Sequence, residues 1–155
     1  MTITVRALAL SDAEAAAEIF HDAVQTGAAE AYTQAQRDAW SGPAPDPEKW
    51  RARFEEQTGV VAEAGGEAVG FMTLDADGHV DLAYVRPERA RQGVGGRLYA
   101  ALEALAREAG LARLSTHASL VARPFFEKQG WRTEQEQQVS LRGETLTNFA
   151  MSKRL

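Results

Sequence analysis

The sequence contains no cysteine. That absence excludes a disulfide framework, a zinc–thiolate site, an iron–sulfur cluster and a cysteine nucleophile. Long apolar runs are also missing, so no segment is expected to span a membrane and no membrane partner is expected. Residues 1–18 lack the cationic start, apolar centre and cleavage site of a secretory signal. A bacterial-type cytoplasm is therefore the expected compartment. Basic residues are outnumbered: 17 Lys and Arg stand against 22 Asp and Glu, a net charge of −5. A nucleic-acid partner is not expected, because such binding needs a basic face to displace phosphate counterions. An anion held in one local pocket remains compatible with that charge. Internal repeats and low-complexity tracts are absent as well.

What is present is ordinary for a globular chain: 155 residues, 45% hydrophobic and 25% charged. The length predicts a single domain over residues 1–155, large enough to bury a core without a staple. Pro43, Pro45 and Pro47 interrupt the helical pattern and mark a short linker.

Residues 3–6 alternate as a first strand. Ser11 and Glu14 have the spacing of a capping box, opening a helix that runs to about residue 25 with Ala16, Ile19, Phe20 and Ala23 on one face. Helices are expected over residues 33–40 and after Asp46, the second carrying Trp50, Arg53 and Phe54 and stopped by Gly59. The period then changes from 3.6 to 2, giving strands over residues 60–64, 67–74 and 79–85, with Gly65-Gly66 and Asp77-Gly78 as hairpin turns. A helix over residues 97–109 turns Leu98, Ala101, Leu102, Leu105 and Ala109 inward. A strand over 111–117, a short helix over 122–129 and a hairpin over 131–141 and 144–153 close the chain. The order predicts an α/β fold: a mixed, mostly antiparallel twisted sheet with a central parallel β-α-β crossover and helices on both faces.

The chemistry concentrates in residues 82–98, where a strand ends, a loop with Gly93, Gly95 and Gly96 follows, and a helix begins. Glycines let successive backbone N–H groups converge on an anion, and the helix adds its positive end. Arg89, Arg91 and Arg97 make this the most basic spot in the chain. It is not a P-loop, which needs Gly-Lys-Ser/Thr. A dinucleotide fingerprint would need a glycine where Leu98 stands.

Val85-Arg86-Pro87 followed by Gly93-Val94-Gly95 resembles the acetyl-coenzyme A loop of the GNAT superfamily of N-acetyltransferases, and the element order is similar throughout. Ala118-Ser119, the stretch from Pro124 to Trp131 and the hairpin ending at Asn148-Phe149-Ala150-Met151 are similar to the YafP-like bacterial branch. The resemblance implies the acyl-CoA N-acyltransferase fold, acetyl-CoA as co-substrate and no metal. It also implies acetyl transfer to a small-molecule or peptide primary amine by direct attack in a ternary complex. Coenzyme A would lie against Ala83, Tyr84, Val85, Arg91, Gln92, Gly93, Val94, Gly95, Gly96, Ser119 and Phe126. An oxyanion donor is implied near Ala83 or Tyr84.

Two departures from the family pattern matter. Ala90 stands where the family has Arg or Gln, and Phe126 where many members have a proton-donating Tyr. Phe126, together with a base that is not fixed by the sequence, keeps a second class open: a non-catalytic acyl-CoA-binding sensor module.

The base is open between Asp81 and His117, with His79 behind them. Regular alternation would put His79, Asp81 and Ala83 on one face, Asp81 ~7 Å and His79 ~13 Å from residue 83. Equally, Asp81 is compatible with a surface carboxylate and His79 with a solvated turn residue. Tyr32, Trp40 and Trp50 read as helix core first and as substrate-stacking rings second. His21 reads as a surface residue. The last hairpin offers an edge strand, and the resemblance implies a homodimer that covers it.

Overall fold

The computed structural model describes residues 2–155. Among them run strands β1 (Ile3–Ala7), β2 (Thr58–Ala64), β3 (Glu67–Leu74), β4 (His79–Val85), β5 (Arg113–Ser119), β6 (Arg132–Leu141) and β7 (Glu144–Arg154). The helices are α1 (Ala13–Asp22), α2 (Gln34–Ser41), α3 (Pro47–Phe54), α4 (Val94–Glu108) and α5 (Arg123–Lys128). All seven strands join one sheet in the order β1-β2-β3-β4-β5-β7-β6. Every pairing is antiparallel except β4 with β5, the expected parallel crossover through α4. Strand β7 enters between β5 and β6, so β6 is the outer strand of the closing hairpin.

Two apolar layers flank the sheet. Leu98 and Leu102 of α4 and Phe126 of α5 pack with Met72, Leu114 and Met151 on one face. Ile19 and Phe20 of α1, with Trp50 and Phe54 of α3, cover Val61, Phe71 and Leu82 on the other. Each fully buried aliphatic or aromatic side chain contributes about 1.5–3 kcal/mol, so these layers hold the sheet between its helices.

Several local expectations are corrected. Ser11 and Glu14 form no capping box. The chain instead makes a 3-10 turn over Leu10–Asp12, in which Asp12 accepts from the Ala9 N–H at 2.8 Å and is clasped by both Arg6 Nη atoms at 2.9 and 2.8 Å. Past α1 the chain continues as a π-helical turn over Ala23–Gly27. Gly59 does not stop α3 but lies within β2, where a Cβ would stand 2.5 Å from the Met72 carbonyl oxygen. Helix α4 starts at Val94, three residues before the patterned stretch, and turns Ala106 rather than Ala109 inward. Low helix propensity hides Gly95 and Gly96 from a periodicity argument, yet both lie in its first turn.

Strand β4 also departs from regular alternation beside the site. The pairing slips between Thr73 and Leu74, and Asp81 is the extra residue, a β-bulge. Val80 therefore faces the α4 layer and Leu82 the α1 layer, although they are two apart. His79, Asp81 and Ala83 do not share a face as regular alternation predicts.

Candidate active site

The sheet opens at its centre. Strands β4 and β5 pair only at His79 with Ser115 and at Val80 with Thr116, and then part. Thr116 closes the apex by donating its hydroxyl to the Val80 carbonyl at 2.8 Å. Beyond it, β4 still pairs with β3: Arg86 N–H donates to the Val69 carbonyl at 2.8 Å and Leu82 N–H to Thr73 Oγ1 at 3.2 Å. Successive N–H groups of a strand point to opposite sides, so those of Ala83 and Val85 face the gap. By the same alternation the Tyr84 N–H belongs to the β3 side. That corrects the expectation of a donor at Tyr84: this residue presents its ring. The ring packs edge-on against Phe20 at 5.0 Å and lies 6.4 Å from Trp40. Burial pushes its hydroxyl well above the ordinary tyrosine pKa.

Below the gap, the loop into α4 alternates in backbone sign. Ala90 has φ −59°, Arg91 +61° and Gly93 +82°, while Gln92 is not among the positive residues. Such alternation turns consecutive N–H groups toward one point, an anion-binding nest. The first internal bond of α4 is Arg97 N–H to the Gly93 carbonyl, at 3.2 Å. The N–H groups of residues 91–96 have no acceptor among the described residues. A Cβ at Gly93 or Gly96 would meet nothing within 4 Å, so open space lies in front of them. At Gly95 a Cβ would come within 3.1 Å of the Phe125 ring. This donor set, at the positive end of a fifteen-residue helix, fits a diphosphate. Arg91 is exposed and Val94 buried.

Above the gap a cleft passes between the two halves of the sheet. Asp81, Ala83, His117, Ser119 and Phe126 all line it, together with Tyr32, Trp40 and Asn148. Asp81 turns toward the α3 side: Arg53 Nη2 lies 3.0 Å from its carboxylate, and Gln57 Nε2 donates to Oδ2 at 2.7 Å. His117 is exposed, and its ring nitrogens have no hydrogen-bond partner among the described residues. Its ring meets His79 edge-on at 5.0 Å. His79 does not line the cleft; its Nδ1 pairs with Ser115 Oγ at 3.0 Å. Burial, then the neighbouring His117, holds the His79 imidazole below the ordinary histidine range, against the pull of Asp75 and Asp81. Ser119 Oγ accepts from the Ala122 N–H at 3.0 Å and so caps the turn into α5. Phe126 is buried against Trp131 and Phe125.

Of the three aromatics read first as helix core, Trp50 packs in the α1 layer and does not line this cleft. Tyr32 and Trp40 stack edge-to-face at 5.4 Å beside the cleft. The Tyr32 hydroxyl donates to the Thr147 carbonyl at 2.6 Å and accepts from the Leu120 N–H at 2.9 Å, tying the helical region to β7 and to the turn that follows β5. His21 is half-buried, and its Nδ1 has no partner, contrary to a surface reading. Arg53, Gln57 and Asn148 escaped sequence reasoning. They belong to the site only through the tertiary fold, and no spacing connects them to Asp81.

The fold is shared with known proteins. The family model for the acetyltransferase (GNAT) domain matches residues 28–153. The uncharacterised N-acetyltransferase YafP of Escherichia coli K12 is 32% identical over 149 residues, 96% of this chain and 94% of that protein. A solved GCN5-related N-acetyltransferase from Rhodopseudomonas palustris superposes with a TM-score of 0.92 at 36% identity, covering 100% of this chain and 97% of that one. The PaiA N-acetyltransferase of Thermoplasma acidophilum, solved in complex with coenzyme A, shares the fold at 20% identity with a TM-score of 0.81 and full coverage of both chains. With its split sheet, its glycine loop and a matched region of most of its length, the chain belongs to the GNAT family of N-acetyltransferases.

Proposed function

We propose that the protein transfers the acetyl group of acetyl-CoA to a primary amine by direct attack in a ternary complex. The observation that carries this reading is the pairing of two unsatisfied donor sets: the amides of residues 91–96 in the nest, and those of Ala83 and Val85 in the gap. The first would hold the pyrophosphate through Arg91, Gln92, Gly93, Val94, Gly95 and Gly96. The second would hydrogen-bond the pantetheine arm and the acyl oxygen, with Ala83 N–H as the oxyanion donor. Ser119 and Phe126 would wall the arm, and the Tyr84 ring would floor the gap. Bound acetyl-CoA supplies a thioester carbon that forms a C–N bond with the amine as its C–S bond breaks.

An amine arrives as an ammonium ion, with a pKa near ~10.4, and must lose a proton before it can attack. Asp81 offers negative charge at the cleft wall. His117 takes the proton, since it lines the cleft and its ring nitrogens have no hydrogen-bond partner among the described residues. Phe126 has no proton to give the departing thiolate. Solvent returns it, a thiol having a pKa near ~8.5.

The test combines calorimetry with acetyl-CoA and thiol release over a panel of amines. Binding with turnover is expected. Tight binding with no turnover on any amine would favour the sensor-module alternative, and no binding at high micromolar ligand would sink both. His117→Gln is expected to lower kcat about a hundredfold while leaving acetyl-CoA affinity unchanged. Full activity in that variant would remove His117 as the base.

A further inference from the structure

The acceptor half of the cleft has a distinctive balance of groups. Its rings are Tyr32, Trp40 and Tyr84, set edge to face or tilted, with centroids 5.4 and 6.4 Å apart along the row. Asp81 and Asn148 both offer it acceptor oxygens. Asp81 is the one carboxylate in the lining among the described residues. Asn148 Oδ1 is buried with no hydrogen-bond partner. Tyr32 cannot serve as a donor here, because its proton is committed to the Thr147 carbonyl. Among the described residues, no Lys or Arg lines this cleft. Arg53 is close by, but it pairs with Asp81, and its guanidinium lies over the Trp50 ring at 5.1 Å.

A ligand is selected by what such a wall can and cannot satisfy. An ammonium has three N–H donors and no acceptor. It meets the Asp81 carboxylate and the orphaned Asn148 oxygen, while ring faces attract a cation and bury an apolar body. A carboxylate on the amine-bearing carbon would enter with the amine. It would face the Asp81 carboxylate and ring faces, the nearby Arg53 guanidinium being already engaged by Asp81, and a desolvated unpaired charge is strongly disfavoured.

We propose that the acceptor is a primary amine on an apolar, aromatic body with no carboxylate on the amine-bearing carbon. The amino acids themselves are then excluded. This inference rests on the acetyltransferase reading of the same cleft.

The matched pair 2-phenylethylamine and phenylalanine isolates the point, because the two differ only by that carboxylate. Binding is measured by calorimetry on the protein alone and in the presence of coenzyme A. Turnover is measured by thiol release from acetyl-CoA. We expect 2-phenylethylamine to bind at least about tenfold more tightly and to be acetylated with the larger kcat/KM. Trp40→Ala is expected to weaken its binding about three- to fivefold, with Trp40→Phe restoring most of it. Equal or better binding of phenylalanine overturns the inference, as does failure of both compounds to bind. Selective binding of 2-phenylethylamine without its acetylation overturns its class as the acceptor, whereas the acetyltransferase reading falls only when no amine of the panel turns over, so the two failures are distinguishable.

Discussion

Arg91 holds φ at +61°, a conformation that costs a side-chain-bearing residue roughly 1–2 kcal/mol. What that conformation delivers is the direction of the neighbouring amides, so backbone should matter more than the guanidinium in holding coenzyme A. Gly93→Val forces a branched side chain to +82°, and Gly95→Val presses on the Phe125 ring. Either is expected to weaken coenzyme A binding at least tenfold, about 1.4 kcal/mol. Arg91→Gly keeps the conformation and loses only an exposed charge, worth at most ~1 kcal/mol. Its effect should shrink at high salt, whereas the valine effects should not. Binding isotherms at two ionic strengths check this, and a collapse of binding in Arg91→Gly alone would point to a side-chain clamp instead. The nest was legible in the sequence because glycines and a following helix advertise it. Asp81 was legible as a candidate, but its orientation was not. A bulge adds one residue to a strand without changing its composition, so counting by twos carried Asp81 to the wrong face.

Among elements, the clasp between β1 and the entry to α1 is the clearest electrostatic tie. The Arg6 guanidinium, opposed by partial burial and helped by the Ala9 N–H, holds the Asp12 carboxyl below the usual carboxylate range. A depressed folded-state pKa adds stability above the unfolded value of about 3.9. That stability disappears as pH falls through the folded value. Asp12→Asn is expected to lower the unfolding free energy by about 1 kcal/mol at neutral pH, the modest figure reflecting an Arg6 side chain that is 41% exposed. The gap between variant and parent should close as pH drops below about 4, read from urea midpoints across pH. A constant gap would mean that the carboxylate's charge is not involved. Strands and helices themselves were readable from period and punctuation, and Pro47 at the start of α3 behaves as anticipated. Strand order was not readable: a hairpin pattern is the same whether β6 or β7 lies inside, and only the pairing of Arg113 with Arg154 through Ser119 with Asn148 decides it.

At the scale of the whole molecule, β6 leaves ten residues of strand with one side unpaired. Its side chains are mostly exposed and polar, with Val139 at 36% exposure. Edges of that length are usually covered, and a homodimer through β6 is the expected state. Sedimentation velocity at micromolar concentration should give a dimer mass, and a monomer alone would end the idea. Among the described residues no helix is long and apolar enough to cross a membrane, in line with the hydropathy of the sequence.

The two residue pairs that join β4 to β5 have a further consequence for how the molecule holds together. A sheet normally transmits cooperativity through its ladders, but here the central ladder is two rungs long. The part carrying β1 to β4 and the part carrying β5 to β7 share an apolar layer but very little backbone. A long ligand laid in the opening and hydrogen-bonded along β4 would act as a strand supplied from outside. Binding energy would then become folding energy, rising with the logarithm of ligand concentration. The thermal stability of this enzyme would report how much acyl donor surrounds it.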